Sequence, residues 1–175
     1  MIETARLHLT PFSRTDFDLF VEEMLTDPLV VEHYHSYRNK TDMALIRRQA
    51  EEDFWEYFEE SRTSPGLDIY AIRIKSDNEK FIGWAGLLHT SLTDLYGGPE
   101  LQYMISGDTF GQGFATEAAA AVLEHASPDL NIIATVDIPN VGSIRVLEKL
   151  GFERDGQIDA YGSSEMYLYR HSRQV

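Results

Sequence analysis

The 175-residue chain contains no cysteine. This absence excludes disulfide bonds, thiolate nucleophiles and cysteine-ligated metal sites, and it is compatible with a reducing compartment. The sequence also has no run of about 18 apolar residues, which a membrane-spanning helix would require. Its first residues, MIETARLHLT, lack the apolar stretch of a secretory signal. We therefore expect a soluble, cytoplasmic protein with no membrane partner.

Basic side chains are few: the chain has 15 Lys and Arg but 29 Asp and Glu, which gives a net charge of −14. A chain this acidic has no broad positive surface for a phosphate backbone, so we expect no nucleic-acid partner. Acidic surfaces mostly serve solubility, but this charge would also attract a cationic substrate. It would repel an anionic ligand, which local hydrogen-bond donors would then have to hold.

The length predicts a single domain over residues 1–175. Apolar periodicity predicts the order β-α-α-β-β-β-α-β-α-β-β, which corresponds to an α/β fold with a mixed central sheet flanked by helices. Residues 90–98 are predicted to form a loop. The main predicted strands cover residues 6–10, 67–74, 80–89, 100–105, 131–136 and 165–170, and Pro11 is expected to end the first of them.

Two helices are predicted in the first third of the chain. Ser13 and Asp16 have the spacing of a capping box, and the helix that they start should stop near Asp27. Thr41 is predicted to cap a second helix over about residues 41–62, with its apolar side chains on one stripe.

A glycine-rich turn leads directly into an alanine-rich helix, in the sequence GDTFGQGFATEAAAAVLEHA at residues 107–126. Gly111 and Gly113 can adopt positive φ, and the helix should begin at Phe114, so several unpaired N–H groups converge. The helix dipole adds partial positive charge, which favours a phosphate or pyrophosphate. A purely structural turn is at least as common. The nucleotide P-loop is excluded because no Lys-Ser or Lys-Thr follows, and the dinucleotide fingerprint because its third glycine is absent.

Three stretches together resemble one family: FGQGFATEA, the strand ELQYMI before it, and NVGSIRVLEKLGF after it. They resemble the GNAT superfamily of N-acetyltransferases, in particular the branch that acetylates the N-termini of ribosomal and other proteins. The resemblance extends over nearly the whole chain and is strongest over residues 99–156. Phe110 departs from the family pattern, since it stands where Gln, Arg or Trp is usual. The resemblance implies a GNAT-like fold and acetyl-coenzyme A as co-substrate, without a metal.

The resemblance also implies which residues contact the coenzyme. The backbone of the strand would contact the pantetheine arm and the thioester, and the turn and helix start would bind the pyrophosphate. Asn140 would cap the following helix and also bond the pantetheine amides, while Ser143 would lie near the sulfur. The implied cofactor-binding residues are Tyr103, Met104, Ile105, Gly111, Gln112, Gly113, Phe114, Ala115, Thr116, Asn140 and Ser143.

Two catalytic roles follow from the same resemblance. Glu100 is the candidate base, although it could equally be an ordinary charge at a strand end. Many members of the family use a tyrosine to protonate the thiolate, but Leu147 occupies that place here. The acid that protonates the thiolate is therefore not identified, and the candidates are Ser143, a water molecule and Tyr161.

In the resembled family the region of residues 29–40 borders the acceptor pocket, so the resemblance implies Tyr34 and His35 as candidate substrate contacts. Glu32, His33 and His35 could also suggest a metal site. Alternate spacing on a strand would place both imidazoles on one face, but no third ligand is evident and a loop with aromatic anchors is favoured. We expect no metal.

The predicted function is acetyl transfer from acetyl-coenzyme A to a primary amine by direct attack in a ternary complex. A peptide α-amine is favoured, because at pH 7 it is neutral far more often than a lysine-type amine and asks less of a single carboxylate base. The alternatives are acetylation of a small amine, polyamine or antibiotic, and a non-catalytic acyl-coenzyme A-binding domain. The sequence is compatible with a homodimer.

Overall fold

A computed structural model describes residues 1–34, 36–64 and 66–171. It contains an eight-stranded sheet with the order β1-β2-β3-β4-β5-β6-β8-β7. All neighbouring strands are antiparallel except β5 and β6, so the predicted mixed sheet is confirmed. The strands are β1 (Ile2–Glu3), β2 (Leu7–Pro11), β3 (Ile69–Ile74), β4 (Lys80–Leu88), β5 (Glu100–Ile105), β6 (Ile132–Asp137), β7 (Glu153–Ala160) and β8 (Ser163–His171).

The helices flank this sheet. They are α1 (Arg14–Leu19), α2 (Met43–Ala50), α3 (Glu56–Thr63), α4 (Thr93–Tyr96), α5 (Phe114–His125) and α6 (Val141–Lys149). Two π-helical segments, Phe20–Met24 and Glu51–Trp55, follow α1 and α2 directly. None of the helices in the described ranges has the length and apolar character needed to cross a membrane.

Each face of the sheet has its own hydrophobic layer. On one face, α5 packs its small side chains, such as Ala118 and Ala119, against Leu9, Ile72 and other strand residues. On the other face, aromatic side chains of the α1 to α3 region surround Trp84, and Phe58 lies 4.8 Å from it between ring centroids. The strands are therefore buried on both sides, which explains why β4 and β6 are almost continuously apolar.

The sheet opens between its two parallel strands. Across the described residues, β5 pairs with β6 only at Glu100 and Ile133. Beyond that pair the strands diverge, and the edge of β5 that faces β6 has no strand partner. This divergence creates the cleft that holds the candidate site.

Some predicted boundaries were wrong. Asp42, not Thr41, caps α2, and its carboxylate accepts hydrogen bonds from the N–H groups of Ala44 and Leu45 at 3.0 and 3.2 Å. A carboxylate has two oxygens and a negative charge that favours a helix N-terminus, so it displaces the neighbouring hydroxyl from this role. The predicted capping box of Ser13 and Asp16 is confirmed.

β2 ends at Pro11, as predicted, with Pro11 as its last residue. Two further differences have local causes. The long second helix contains the π segment, which the apolar stripe did not reveal. Residues 90–98 include the single turn α4, which Gly97 ends with a φ of 80°.

Candidate active site

A cavity of about 340 Å³ lies where β5 and β6 diverge. β5 contributes Glu100, Gln102 and Tyr103 to its wall, and β6 contributes Thr135 and Asp137. Other segments close it, with His33, Tyr34, Asp53, Asn140, Ser143 and Tyr161 among their lining residues. The cavity thus brings together both predicted catalytic residues and one of the two predicted substrate contacts.

Glu100 begins β5, and only 1% of its surface is exposed. Its Oε1 accepts a hydrogen bond from the Thr135 hydroxyl at 2.6 Å. Its Oε2 accepts from the Thr90 hydroxyl at 3.1 Å, from Gln102 Nε2 at 3.0 Å and from the Tyr161 hydroxyl. A buried carboxylate is costly unless donors surround it, and here four side chains supply them. Glu100 therefore does not face the solvent, although it lies at the end of a strand.

Tyr161 reaches Glu100 from the tip of the hairpin between β7 and β8. Ala160 and Ser163 are paired across this hairpin, so Tyr161 and Gly162 form a two-residue turn. Both have positive φ, 50° and 77°, which is the signature of a type I′ turn. Burial of the hydroxyl end, together with the charge and hydrogen bond of Glu100, raises the pKa of Tyr161.

Asn140 and Ser143 lie at the start of α6, on the other side of the cavity. Asn140 caps the helix, because its Oδ1 accepts a hydrogen bond from the Ser143 N–H at 3.0 Å. Its Nδ2 has no partner among the described residues. The Ser143 hydroxyl lies 2.8 Å from the Tyr103 hydroxyl, and burial raises the pKa of Tyr103 although this hydrogen bond opposes it. Leu147 is buried in the core and offers no hydroxyl.

Replacement of Asn140 should separate its two predicted roles. We expect Asn140→Ala to lower the free energy of unfolding by about 1 kcal/mol through loss of the cap. It should also weaken coenzyme A binding, because the free Nδ2 donor is lost. Asn140→Ser is the matched control, since serine can still cap but lacks the amide: it should unfold like the parent yet bind coenzyme A weakly. Denaturant unfolding and calorimetry measure the two effects, and parent-like binding by both variants would remove Asn140 from the cofactor site.

The glycine turn follows β5 at its other end. Gly111 and Gly113 have φ of 75° and 82°, as predicted, and Gly113 is the N-cap of α5. The N–H groups of Phe114, Ala115 and Thr116 have no acceptor within the helix, and no side chain of the described residues caps them. A Cβ added to Gly111 would meet nothing within 4 Å, and one at Gly113 only a guanidinium nitrogen at 3.5 Å. The space beside both glycines is therefore open, as a bound anion would require.

The back of the turn is held by the N-terminal segment. Arg6 donates from Nε to Glu117 at 2.6 Å and from Nη1 to the Gln112 carbonyl at 2.9 Å, and its guanidinium lies 4.4 Å from the centre of the Phe114 ring. Glu117 also accepts from the Thr4 hydroxyl at 2.6 Å. Burial alone would raise the pKa of Glu117, but these donors lower it below its usual value. The Gln112 side chain donates within the turn, to the carbonyl of residue 108 at 3.2 Å.

The remaining predicted contacts differ in what they can offer. Met104 and Ile105 are buried in opposite core layers, so only their backbone is available to a ligand. Tyr34 lies in the cavity wall, and its pKa is raised by burial and then by the charge of Glu100. His35 lies outside the described residues.

The cavity also contains two carboxylates, those of Asp53 and Asp137, that the sequence did not point to. Asp137 lies 3.2 Å from His33, measured from Oδ2 to Nδ1, and Asp53 accepts from the Tyr37 hydroxyl at 2.8 Å. The described lining residues therefore include three carboxylates, with that of Glu100, and one imidazole, that of His33. These ranges contain no group of three or more His, Cys, Asp or Glu residues that could hold a metal ion.

Sequence reasoning missed the donors around Glu100 and the Tyr103 hydroxyl. Thr90 and Thr135 lie 10 and 35 residues from Glu100, so no local spacing relates them. Gln102 and Tyr161 did leave a signal. Gln102 is two residues from Glu100 and so shares its strand face, and a residue directly before a glycine between two strands, such as Tyr161, is a candidate for the first position of a tight turn.

The fold is similar to that of several solved acetyltransferases. A putative GNAT-family acetyltransferase from Bordetella pertussis has a TM-score of 0.71 at 24% identity, and the match covers 98% of both chains. RimL, a ribosomal α-N-protein acetyltransferase solved with coenzyme A, has a TM-score of 0.71 at 12% identity, covering 96% of this chain and 94% of that one. A spermidine N-acetyltransferase from Vibrio cholerae, solved with coenzyme A and spermine, has a TM-score of 0.65 at 14% identity, covering 95% and 94%. At these identities the likeness concerns the fold alone.

Two curated relatives are similar in sequence. The uncharacterized N-acetyltransferase YnaD of Bacillus subtilis (strain 168) is 37% identical over 60 residues, which is 33% of this chain and 35% of YnaD. The uncharacterized N-acetyltransferase p20 of Bacillus licheniformis is 26% identical over 161 residues, which is 90% of this chain and 85% of p20.

The family model described as an acetyltransferase (GNAT) domain matches residues 6–153. That match includes β5, the glycine turn, α5 and α6, which contribute Glu100, the turn glycines, Asn140 and Ser143 to the candidate site. The protein belongs to the acetyltransferase (GNAT) domain family.

Proposed function

We propose that the protein transfers the acetyl group of acetyl-coenzyme A to a primary amine by direct attack in a ternary complex. The observation that carries the proposal is a single strand, β5, whose edge towards β6 has no strand partner beyond Glu100. Its C-terminal end leads into the glycine turn, and its first residue is the buried Glu100. The five residue steps of β5 span about 17 Å at about 3.3 Å each, which leaves room for an extended arm between the two ends.

The residues present fit the coenzyme. The free N–H groups of Phe114, Ala115 and Thr116 would bind its pyrophosphate at the helix N-terminus. The unpaired edge of Tyr103, Met104 and Ile105 and the Asn140 amide would hold the pantetheine arm. When bound, acetyl-coenzyme A supplies the thioester carbonyl that an amine can attack. A local anion site is what a chain with a net charge of −14 needs to hold an anionic ligand.

Glu100 is proposed as the base for the acceptor. An amine attacks through a neutral nitrogen, so the ammonium form has to lose a proton first. Glu100 lies in the wall of the cavity, and its four donors allow it to be charged there.

Ser143 is proposed as the group that hands a proton to the leaving sulfur. Its hydroxyl lies 2.8 Å from that of Tyr103, which can replace the proton. We expect Ser143→Ala to lower kcat by about 100-fold, the low end of acid–base effects, with little change in coenzyme A affinity. Ser91→Ala, an exposed site outside the cavity wall, serves as control. Unchanged turnover in Ser143→Ala would remove this residue from the mechanism.

The acceptor is proposed to be the α-amine of a peptide, in line with the branch of the family that the sequence resembles. Such an amine has a pKa near 8 against about 10.4 for a lysine-type amine, so it demands less of one carboxylate. A polyamine is the second candidate. The observation that favours it is the acidic lining, with Asp53 and Asp137 besides Glu100. The spermine-bound relative of the same fold agrees with this alternative.

An amine panel tests the proposal. The protein is incubated with acetyl-coenzyme A and, separately, a peptide with a free N-terminus, the same peptide N-blocked but containing lysine, and a polyamine. Mass detection of the acetylated product identifies the acceptor, and thiol release gives the rate. Preference for the blocked peptide or the polyamine would overturn the α-amine assignment. Coenzyme A binding without turnover on any amine would favour a non-catalytic sensor instead.

A further inference from the structure

Tyr161 occupies a backbone conformation that suits its residue type poorly. Its φ of 50° is in the left-handed region, which bulky residues rarely adopt and which favours glycine, asparagine or aspartate. The first position of a type I′ turn normally holds one of those residues. Strain of this kind is retained mostly where surrounding structure needs it, and it clusters at functional sites. The hairpin thus holds a phenol where asparagine would fold more easily.

The strained residue points its hydroxyl at the candidate base. Tyr161 donates to Glu100 Oε2, which also accepts from Thr90 and Gln102, so three donors surround this one oxygen. Glu100 is 1% exposed, whereas Tyr161 is 50% exposed and lines the cavity. Both side chains line the cavity, so an acceptor amine there can contact the phenol oxygen that lies against the carboxylate.

We propose that the Tyr161 hydroxyl is the catalytic group that takes the proton from the acceptor ammonium and passes its own proton to Glu100. The inference rests on the proposed function. The phenol oxygen accepts one N–H proton of the ammonium while its O–H proton moves to Glu100 Oε2. The products of this step are a neutral amine, an unchanged phenol and a protonated Glu100, so protons and charge balance.

The surroundings suit a relay better than a stored tyrosinate. Burial, together with the nearby charge of Glu100, raises the pKa of Tyr161, so the phenol stays protonated between turnovers. Tyr34 lies in the same wall, and its pKa is raised in the same direction for the same reasons. A phenol that stays neutral can pass a proton only by receiving another, which is what a relay does.

The parent protein is first tested for acetyl transfer to an amine. Three variants then test the relay. Tyr161→Phe keeps the ring and should lower kcat/KM about 100-fold or more, with coenzyme A binding unchanged by calorimetry. Tyr161→Asn should be equally impaired but should melt at a higher temperature than Tyr161→Phe, because asparagine tolerates the turn. Tyr70→Phe is the control, since it removes a tyrosine–carboxylate hydrogen bond, to Asp68 at 3.2 Å, outside this cavity.

Two further measurements separate a relay from a structural role. With acceptors of decreasing amine pKa, the loss in Tyr161→Phe should shrink, because less ammonium has to be deprotonated. The double variant Glu100→Gln with Tyr161→Phe should fall little below Glu100→Gln alone, since groups acting in one step are not additive. Parent-like activity in Tyr161→Phe or Tyr161→Asn, or an equal loss for every acceptor, would overturn the relay alone. A parent that acetylates no amine would overturn the proposed function and the relay together.

Discussion

Gly113→Val is expected to abolish measurable coenzyme A binding. Gly113 has a φ of 82°, and a β-branched residue in that conformation is strained by roughly 1–3 kcal/mol. If the turn relaxes instead, the N–H groups at the start of α5 no longer converge. Binding would then have to restore the strained turn, and since each 1.4 kcal/mol is tenfold in affinity, this would weaken binding by about 5-fold to 150-fold. The added bulk beside the ligand increases the effect.

Calorimetry with coenzyme A measures this loss. Gly97→Val is the matched control, because Gly97 has a φ of 80° and nothing lies within 4 Å of an added Cβ, yet it is outside the glycine turn. It carries the same backbone strain and should bind coenzyme A like the parent. If Gly113→Val bound as tightly as the parent with its fold intact, the cofactor would not bind at this turn.

Glu100→Gln is expected to lower kcat for the best acceptor by about 100-fold to 10,000-fold, which is the range that acid–base catalysis contributes. The amide keeps the size of the side chain and one acceptor oxygen, so the cavity is changed little. It cannot receive a proton from the acceptor, with or without Tyr161 between them. Binding of coenzyme A should be unchanged, because the glycine turn lies at the other end of β5.

Steady-state kinetics and calorimetry on the same preparation separate these two effects. Glu124→Gln removes an exposed carboxylate from α5 without touching the cavity and is the control for loss of one charge. Full turnover in Glu100→Gln would show that this carboxylate is not the base. The pair formed by His33 and Asp137, in the same wall, would then be the next candidate.

The sequence was informative wherever function depends on backbone conformation. Glycine at Gly111 and Gly113 and the helical run from Phe114 predicted the turn and its positive φ, because few other residues adopt that geometry. Asn140 was likewise identified as a cap from its position before a helix. The sheet followed from apolar periodicity, and the family from motifs that are contiguous in the chain.

Only the tertiary structure decided what surrounds Glu100. Gln102 lies two residues along β5, but the other donors come from the loop after β4, from β6 and from the β7–β8 hairpin, and no local pattern relates these three to Glu100. The sequence likewise left Tyr161 as one of three candidate acids, whereas the fold joins it to the candidate base. The physical reason is that turns and caps are local consequences of φ, ψ and nearby donors, while a buried hydrogen-bond network exists only after long-range packing has placed its members within about 3 Å.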